Sequence, residues 1–252
     1  MFLKKLKHHL LLVLLLLLSV STSANEITVS AASSLTNAFQ EIVQNYQTEY
    51  PETKVLLNFA ASGVLQQQIA RGAPVDIFAS ADEQTMDLAM ADGLMNRASH
   101  RSFARNRLVV ITPVNSKTIL TQLTDLQQAG IERIAIGNPD SVPVGQYTKI
   151  ALSEAGLWDT LQEKVIRTQN VRHSLDYVAR NEVDAGFVYN TDAALLPEKV
   201  NIAFTVQMPA DIIYPIAITR NSRNPAEAEK FIEYLLSAAG QAVMTKYGFI
   251  TP

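Results

Sequence analysis

The 252-residue chain contains no cysteine. This absence excludes a disulfide framework, a thiolate metal site, a cysteine nucleophile and a lipid-anchored lipoprotein, whose processing requires that residue. Histidine is also scarce, and beyond the first 24 residues only His100 and His173 occur. Neither has a second histidine three or four positions away, so both are interpreted as surface residues and not as metal ligands. The sequence therefore predicts no direct metal-ion ligand.

Motifs of the common enzyme classes are missing as well. There is no Gly-x-Ser-x-Gly elbow, no Walker A loop and no glycine-rich dinucleotide fingerprint after the first strand. Positive charge is limited too, because the 24 acidic residues outnumber the 21 lysines and arginines. No basic run occurs beyond the N-terminal segment. Nucleic acid and anionic membrane surfaces are therefore not expected as partners.

The N-terminal 24 residues have the pattern of a secretory signal peptide. Lys4, Lys5 and Lys7 precede an apolar stretch at 10–18, and small polar residues follow up to Ala24. A membrane anchor is the alternative, but the apolar stretch falls short of the roughly 20 residues that span a bilayer. We predict an exported protein whose mature chain begins near Asn25.

Beyond residue 25, short β-rich runs alternate with amphipathic helical stretches, which predicts an α/β protein with parallel sheets covered by helices. The alternation begins again at the strand 134–136, which is followed by a loop at 137–145 and a helix at 147–155. This restart predicts two similar lobes joined by a hinge. Ligands of open α/β sheets bind at the carboxyl ends of strands, so a cleft between the lobes is the expected site.

Four strand-to-helix turns place small or flexible residues at a helix start. Amides in the first turn of a helix have no partner inside the helix and lie at the positive end of its dipole, so such turns can bind an anion. Helix capping by Ser34 and Ser62 is the competing interpretation. The four turns are 32–35, 60–63, 142–145 and 170–172.

Two further polar features allow two interpretations each. Tyr189 follows the strand 185–188, where its hydroxyl can donate a hydrogen bond into the cleft or its ring can simply pack at the strand end. Asp76, Asp82 and Glu83 are close in sequence, but strand and capping roles explain them better than an acid/base pair does.

Together, these segments resemble the periplasmic molybdate-binding proteins of bacterial ATP-driven importers, the ModA family. The resemblance covers the whole predicted mature chain, and its order and spacing make it specific. Its segments are ITVSAASSLTNAF, NFAASGVLQQQI, GAPVDIFASAD, IGNPDSVPVGQYTKIAL, LWDTL, NVRHSLDYVARNE, AGFVYNTDA and KYGF.

The resemblance implies a two-lobed periplasmic solute-binding protein fold of type II, with α/β lobes hinged around a central cleft. Lobe I would comprise residues 25–106 and 217–252, and lobe II residues 107–216. The protein would be a periplasmic monomer without cofactor or catalytic residues. It would deliver molybdate, and tungstate as well, to an ABC permease that works with a cytoplasmic ATPase.

The resemblance also assigns the oxyanion ligands residue by residue. Hydroxyl donors fall on Ser34, Ser62 and Tyr189, and backbone N–H donors on Val144 and Val171. Val144 stands where relatives often have alanine, which leaves its N–H unaffected. Gly63, after the second serine, departs from the serine-rich form of that turn.

Three alternative functions compete with this interpretation. A binding protein for another tetrahedral oxyanion such as sulfate or phosphate would share the fold, and pocket size or a charged cleft residue would distinguish it. The effector-sensing domain of a regulator also shares the fold, but the predicted signal peptide and the missing DNA-binding helices argue against it. A secreted hydrolase using Ser34 or Ser62 would need a general base, and no histidine lies near either serine in sequence.

Overall fold

The computed structural model describes residues 25–252, so the predicted signal peptide, residues 1–24, lies outside the described residues. The strands are β1 (Asn25–Ala32), β2 (Thr53–Ala60), β3 (Ile77–Ala79), β4 (Arg101–Asn106), β5 (Leu108–Pro113), β6 (Ile134–Gly137), β7 (Val165–Thr168), β8 (Ala185–Tyr189), β9 (Val200–Thr205) and β10 (Ile212–Ile218). The α-helices are α1 (Thr36–Glu49), α2 (Ser62–Ala70), α3 (Glu83–Ala91), α4 (Pro143–Glu154), α5 (Trp158–Leu161), α6 (Val171–Ala179), α7 (Asn190–Ala193), α8 (Pro225–Leu236) and α9 (Ala238–Lys246). Within 25–252, no helix is both long and apolar enough to cross a membrane.

The strands form two five-stranded sheets, one in each lobe. The first has the order β2-β1-β3-β10-β4 and the second the order β7-β6-β8-β5-β9. Helices pack against both sheets through apolar faces, such as the face of α1 that buries Phe39, Ile42 and Tyr46. The predicted α/β class with two lobes is confirmed.

The expectation of parallel sheets is wrong in part, because both sheets are mixed. Strand β1 runs parallel to β2 and β3, whereas β10 runs antiparallel to β3 and β4. In the second sheet, β5 runs antiparallel to β8 and β9. The strands that oppose the others, β10 and β5, are those that carry the chain into each lobe, so no helical crossover precedes them.

The chain passes between the lobes twice, at Arg107 between β4 and β5 and again between β9 and β10. The predicted lobe boundary after residue 216 falls inside β10, whose whole length pairs within the first sheet. Residues 212–216 therefore belong with the first lobe, because they continue one apolar strand that cannot be divided between two sheets.

Some element boundaries also differ from the prediction. Helix α4 begins at Pro143, four residues before the predicted start at Tyr147, because proline fits the first helical position and needs no hydrogen-bond acceptor there. The sequence pattern does not predict β4 or β7. Both are edge strands with polar residues, so neither has the apolar pattern of a central strand.

Candidate functional site

The four turns singled out in the sequence lie at the carboxyl ends of parallel strands. After β1 comes a 3-10 turn, Ser33–Leu35, and after β2 comes the start of α2. In the second lobe, α4 and α6 begin after β6 and β7, which pair in parallel. Tyr189 ends β8, the neighbour of β6. The topology thus points five polar groups of two lobes toward one cleft.

All five predicted ligand residues line a single cavity between the lobes, and each is at most 3% exposed. The cavity has a volume of about 10 Å³, whereas pockets for organic ligands have volumes of about 300 to 1,000 Å³. The site therefore suits a ligand of very few atoms. Its lining consists of Ala32, Ser33, Ser34, Ala61, Ser62, Ala81, Val142, Pro143, Val144, Val171 and Tyr189.

Two residues of the second lobe line this cavity from helix starts, where backbone amides lack acceptors inside the helix. Val144 is the second residue of the 12-residue α4, and Val171 is the first residue of the nine-residue α6. Within residues 25–252 neither amide donates to a protein acceptor. Unpaired amides at the positive end of a helix dipole favour an anion.

Neither Ser34 nor Ser62 caps a helix, so the capping interpretation is wrong for both. Ser34 is the middle residue of the 3-10 turn, and Ser62 is the first residue of α2. The N-cap positions are Ala32 for the 3-10 turn, Leu35 for α1 and Ala61 for α2, and none of them has a side-chain cap. Instead, the Ser34 hydroxyl lies 3.1 Å from the Tyr214 hydroxyl, and Ser62 Oγ accepts a 3.0 Å hydrogen bond from the Ala81 amide. Each serine is held by the first lobe and lines the cavity.

Tyr189 closes the cavity from the second lobe. Its hydroxyl donates a 3.4 Å hydrogen bond to the Ala81 carbonyl across the cleft, and its ring packs edge-on against Tyr214 at 5.7 Å between centroids. Burial raises the pKa of Tyr189 well above its ordinary value of 10. The hydroxyl therefore stays protonated, and its single hydrogen must turn from the Ala81 carbonyl to the anion when Tyr189 serves as a ligand donor.

A buried ion pair supports the start of α6. Arg172 Nε lies 2.7 Å from Asp192 Oδ1, and the carboxylate is completely buried. Burial raises the pKa of Asp192 to about 6, although Arg172 and the Tyr189 amide lower it. The same guanidinium donates to Asn37 Oδ1 at 2.9 Å and to the Ser34 carbonyl at 3.2 Å, so it joins the two lobes beside the site.

Sequence reasoning did not single out Arg172, Asp192, Asn106 or Tyr214. Arg172 lies within the predicted anion-binding turn 170–172, and a cation in such a turn is itself a sequence signal for an anion site. Asn106 and Tyr214 carry no comparable signal, because the residues they contact are distant in sequence.

The acidic residues considered as an acid/base pair have structural roles. Asp76 accepts hydrogen bonds from the Thr28 and Arg223 amides and the Ser222 hydroxyl. Asp82 caps α3 by accepting from the Thr85 amide at 3.3 Å. No carboxylate is among the residues that line the described cavity.

The histidines lie outside the cavity lining as well. His100 Nε2 is 3.4 Å from Glu83 Oε2 at the surface of the first lobe, and the backbone amide of His173 donates to Asn170. In the part of the chain that the structure covers, no group of three potential metal ligands occurs. Neither Ser34 nor Ser62 has a histidine or carboxylate as a hydrogen-bond partner among the described residues.

Comparisons with known proteins agree with this geometry. Residues 27–250 match the family model for bacterial extracellular solute-binding proteins. The chain is 37% identical to the putative ABC transporter substrate-binding lipoprotein YvgL of Bacillus subtilis, over 88% of this chain and 85% of that protein. It is also 37% identical to the molybdate-binding protein ModA of Escherichia coli, over 89% and 88%.

One solved structure extends the comparison to three dimensions. The substrate-binding domain of a putative molybdenum ABC transporter from Clostridium difficile superposes with a TM-score of 0.69 at 32% identity. The superposition covers 90% of this chain and 99% of that one. Similarity of both sequence and fold therefore extends across both lobes.

Proposed function

The chain belongs to the bacterial extracellular solute-binding proteins and, within them, to the ModA family, and we propose that it captures molybdate for an ABC importer. The observation that carries this proposal is the convergence of Ser34, Ser62, Val144, Val171 and Tyr189 on one small cavity. All five groups can donate a hydrogen bond, and no carboxylate lies among them.

A cavity lined by donors selects a fully deprotonated tetrahedral dianion. Molybdate at neutral pH accepts hydrogen bonds and donates none, so every oxygen can be satisfied. Hydrogen phosphate carries an O–H group that needs an acceptor, and leaving such a group unpaired costs about 1 to 3 kcal/mol, or roughly ten- to a hundredfold in affinity. Because the donors contact oxygen atoms only, tungstate binds by the same contacts.

Sulfate is the second tetrahedral dianion without a proton, and its shorter bonds to oxygen distinguish it from molybdate. A cleft closed around the larger ion leaves the donors too far from the sulfate oxygens. Hydrogen bonds weaken as the donor and acceptor separate beyond about 3.2 Å. Sulfate is therefore expected to bind more weakly.

The remaining parts of the proposal concern the cellular setting. The protein is exported through the N-terminal signal peptide and works in the periplasm as a monomer. Binding closes the lobes, and the closed form delivers the anion to a membrane permease coupled to a cytoplasmic ATPase. No catalytic step and no cofactor are involved.

Calorimetric titration tests the proposal. The mature chain from Asn25 onward is stripped of ligand and titrated with molybdate, tungstate, sulfate and phosphate. Tight binding of the first two and weak binding of the others is expected. Ser34→Ala and Ser62→Ala should each lower molybdate affinity by about ten- to a hundredfold, the effect of losing a hydrogen bond to a charged group.

Ser99→Ala is the matched control, because Ser99 is also buried and hydrogen-bonded in the first lobe but is not part of the cavity lining. Its molybdate affinity should equal that of the wild type. Equally tight binding of sulfate or phosphate would contradict the substrate assignment, and a chain that bound no oxyanion would contradict the proposed function altogether.

A further inference from the structure

A buried chain of polar side chains leads away from the cavity. Ser34 Oγ lies 3.1 Å from the Tyr214 hydroxyl, which lies 3.3 Å from Asn106 Nδ2. The same Nδ2 lies 2.9 Å from Thr191 Oγ1 in the second lobe. All four residues are buried, so water does not compete for these hydrogen bonds.

The donor and acceptor roles in this series of hydrogen bonds are fixed at Asn106. Its Oδ1 accepts a 2.9 Å hydrogen bond from the Arg107 backbone N–H, which can only donate. The side-chain amide nitrogen must therefore face the other way, with one hydrogen for Thr191 and one for Tyr214. Asn106 is a donor to the Tyr214 hydroxyl.

The hydrogen bond from Asn106 also determines the direction of the hydrogen bond between Tyr214 and Ser34. The Tyr214 hydroxyl has a single hydrogen, and among the described residues Ser34 Oγ is the acceptor within hydrogen-bond distance. If Ser34 donated instead, the phenol hydrogen would be buried without a partner, an arrangement that native structures avoid. Ser34 Oγ accepts from Tyr214, and its own hydrogen is left for the cavity.

From this chain we infer that Asn106 and Tyr214 are positioning residues that fix the Ser34 hydroxyl as a hydrogen-bond donor toward the ligand. They thereby set the preference for anions that carry no proton. The inference rests on the proposed function, since it concerns the specificity of the same site. Ser62 is fixed in the same sense, because its Oγ accepts from the Ala81 backbone N–H, whose direction cannot reverse.

Tyr214→Phe tests the inference, because it removes the hydroxyl and keeps the ring that packs against Phe103, Tyr189 and Phe249. Without that hydroxyl, Ser34 can rotate and accept a hydrogen bond from a protonated anion. Molybdate affinity should fall by about three- to tenfold, the effect of losing the orientation of one hydrogen bond. Phosphate affinity should stay constant or rise, so the ratio of molybdate affinity to phosphate affinity should fall.

Tyr46→Phe is the matched control. Tyr46 is also fully buried in the first lobe, but its hydroxyl donates to Glu227 and does not reach the cavity. This variant should lose some thermal stability and keep the wild-type ratio of molybdate to phosphate affinity.

A double-mutant cycle separates positioning from general structural support. If Tyr214 acts only through Ser34, Tyr214→Phe should have no further effect on molybdate affinity in a Ser34→Ala background. Additive losses would overturn the inference while leaving the proposed function intact. A wild-type chain that bound no oxyanion would instead contradict the proposed function itself.

Asn106→Asp provides a second variant should Tyr214→Phe fail to fold. The carboxylate replaces a donor by an acceptor, so Tyr214 donates to residue 106 and Ser34 donates to Tyr214. The molybdate-to-phosphate ratio should then fall about tenfold. Because both ligands are dianions at slightly alkaline pH, the added charge affects them alike and cancels in the ratio. An unchanged ratio in every folded variant overturns the inference.

Discussion

Two backbone donors at the cleft have no hydrogen-bond partner within the described protein. The amides of Val144 and Val171 have no protein acceptor within residues 25–252, and both residues are buried. Unpaired buried donors are costly, and a bound anion satisfies them. The backbone at these two positions matters more than the side chain, which explains why valine can stand at position 144.

Val171→Pro tests the backbone donor directly. Proline is tolerated at the first position of a helix, and the extended backbone of Asn170 (φ −164°, ψ 173°) suits a residue that precedes proline. The variant should fold and lose about ten- to a hundredfold in molybdate affinity by calorimetry, because a Cδ methylene group replaces the N–H donor. Val171→Ala, which keeps the N–H, should bind within about threefold of the wild type. Equal affinities of the two variants would contradict the donor role.

Residues were predictable from the sequence where chemistry is local. Ser34, Ser62, Val144 and Val171 lie at helix starts that the pattern identifies, and the family resemblance selected the same positions. Tyr214 lies 180 positions from Ser34 and 108 from Asn106, so only the fold brings their side chains together. Networks of this kind are invisible to local pattern analysis.

Helix starts are the elements that build the site. Helix α2 begins at Ser62, and its second residue, Gly63, donates a 3.0 Å backbone hydrogen bond to the Ser141 carbonyl in the opposite lobe. A Cβ atom at Gly63 would lie 2.8 Å from that oxygen and 2.9 Å from Ser141 Cα. Glycine at this position therefore permits the close approach of α2 to the loop before α4.

Gly63→Ala should obstruct closure of the cleft. The methyl group requires the lobes to separate by a few tenths of an ångström, which lengthens several hydrogen bonds to the ligand at once. We expect molybdate affinity to fall at least about tenfold and the decrease in radius of gyration on ligand addition to become smaller, as measured by X-ray scattering.

Gln67→Ala on the exposed face of the same helix serves as the control and should match the wild type in both measurements. Full closure and unchanged affinity in Gly63→Ala would contradict the role assigned to the glycine.

At the level of elements, the sequence predicted most central strands and amphipathic helices, because their apolar periodicity is strong. It failed at edge strands β4 and β7, which have little apolar surface to bury. It also predicts the start of α4 too late, because the prolines and turn-forming residues of 137–145 favour a loop. The direction of β5 and β10 could not follow from local pattern, because it depends on how the chain passes between the lobes.

Across the whole molecule, the lobes contact each other around the cavity. Arg172 on α6 reaches the Ser34 carbonyl and Asn37, Gly63 reaches Ser141, and Tyr189 reaches Ala81. These bonds hold the lobes together beside the ligand-binding groups. They are expected to slow dissociation of the ligand and to have little effect on its association.

Arg172→Lys tests whether the interlobe bonds affect ligand dissociation and not ligand association. Lysine keeps the charge beside Asp192 but lacks the planar fork that contacts both Asn37 and Ser34. Stopped-flow measurements should give a molybdate dissociation rate about three- to tenfold faster with an unchanged association rate. Arg167→Lys on β7, an exposed arginine, should leave both rates unchanged. A slower association rate alone in Arg172→Lys would contradict the interlobe role.

The central claim is that hydrogen-bond donors of both lobes hold one tetrahedral oxyanion between them. A crystal structure of the molybdate complex, with molybdenum located by its anomalous scattering, tests it most directly. We predict one peak in the cavity, with ligand oxygens about 2.7 to 3.1 Å from the hydroxyls of Ser34, Ser62 and Tyr189 and the amides of Val144 and Val171. A peak elsewhere, or one contacted by carboxylate or histidine side chains, would contradict the claim.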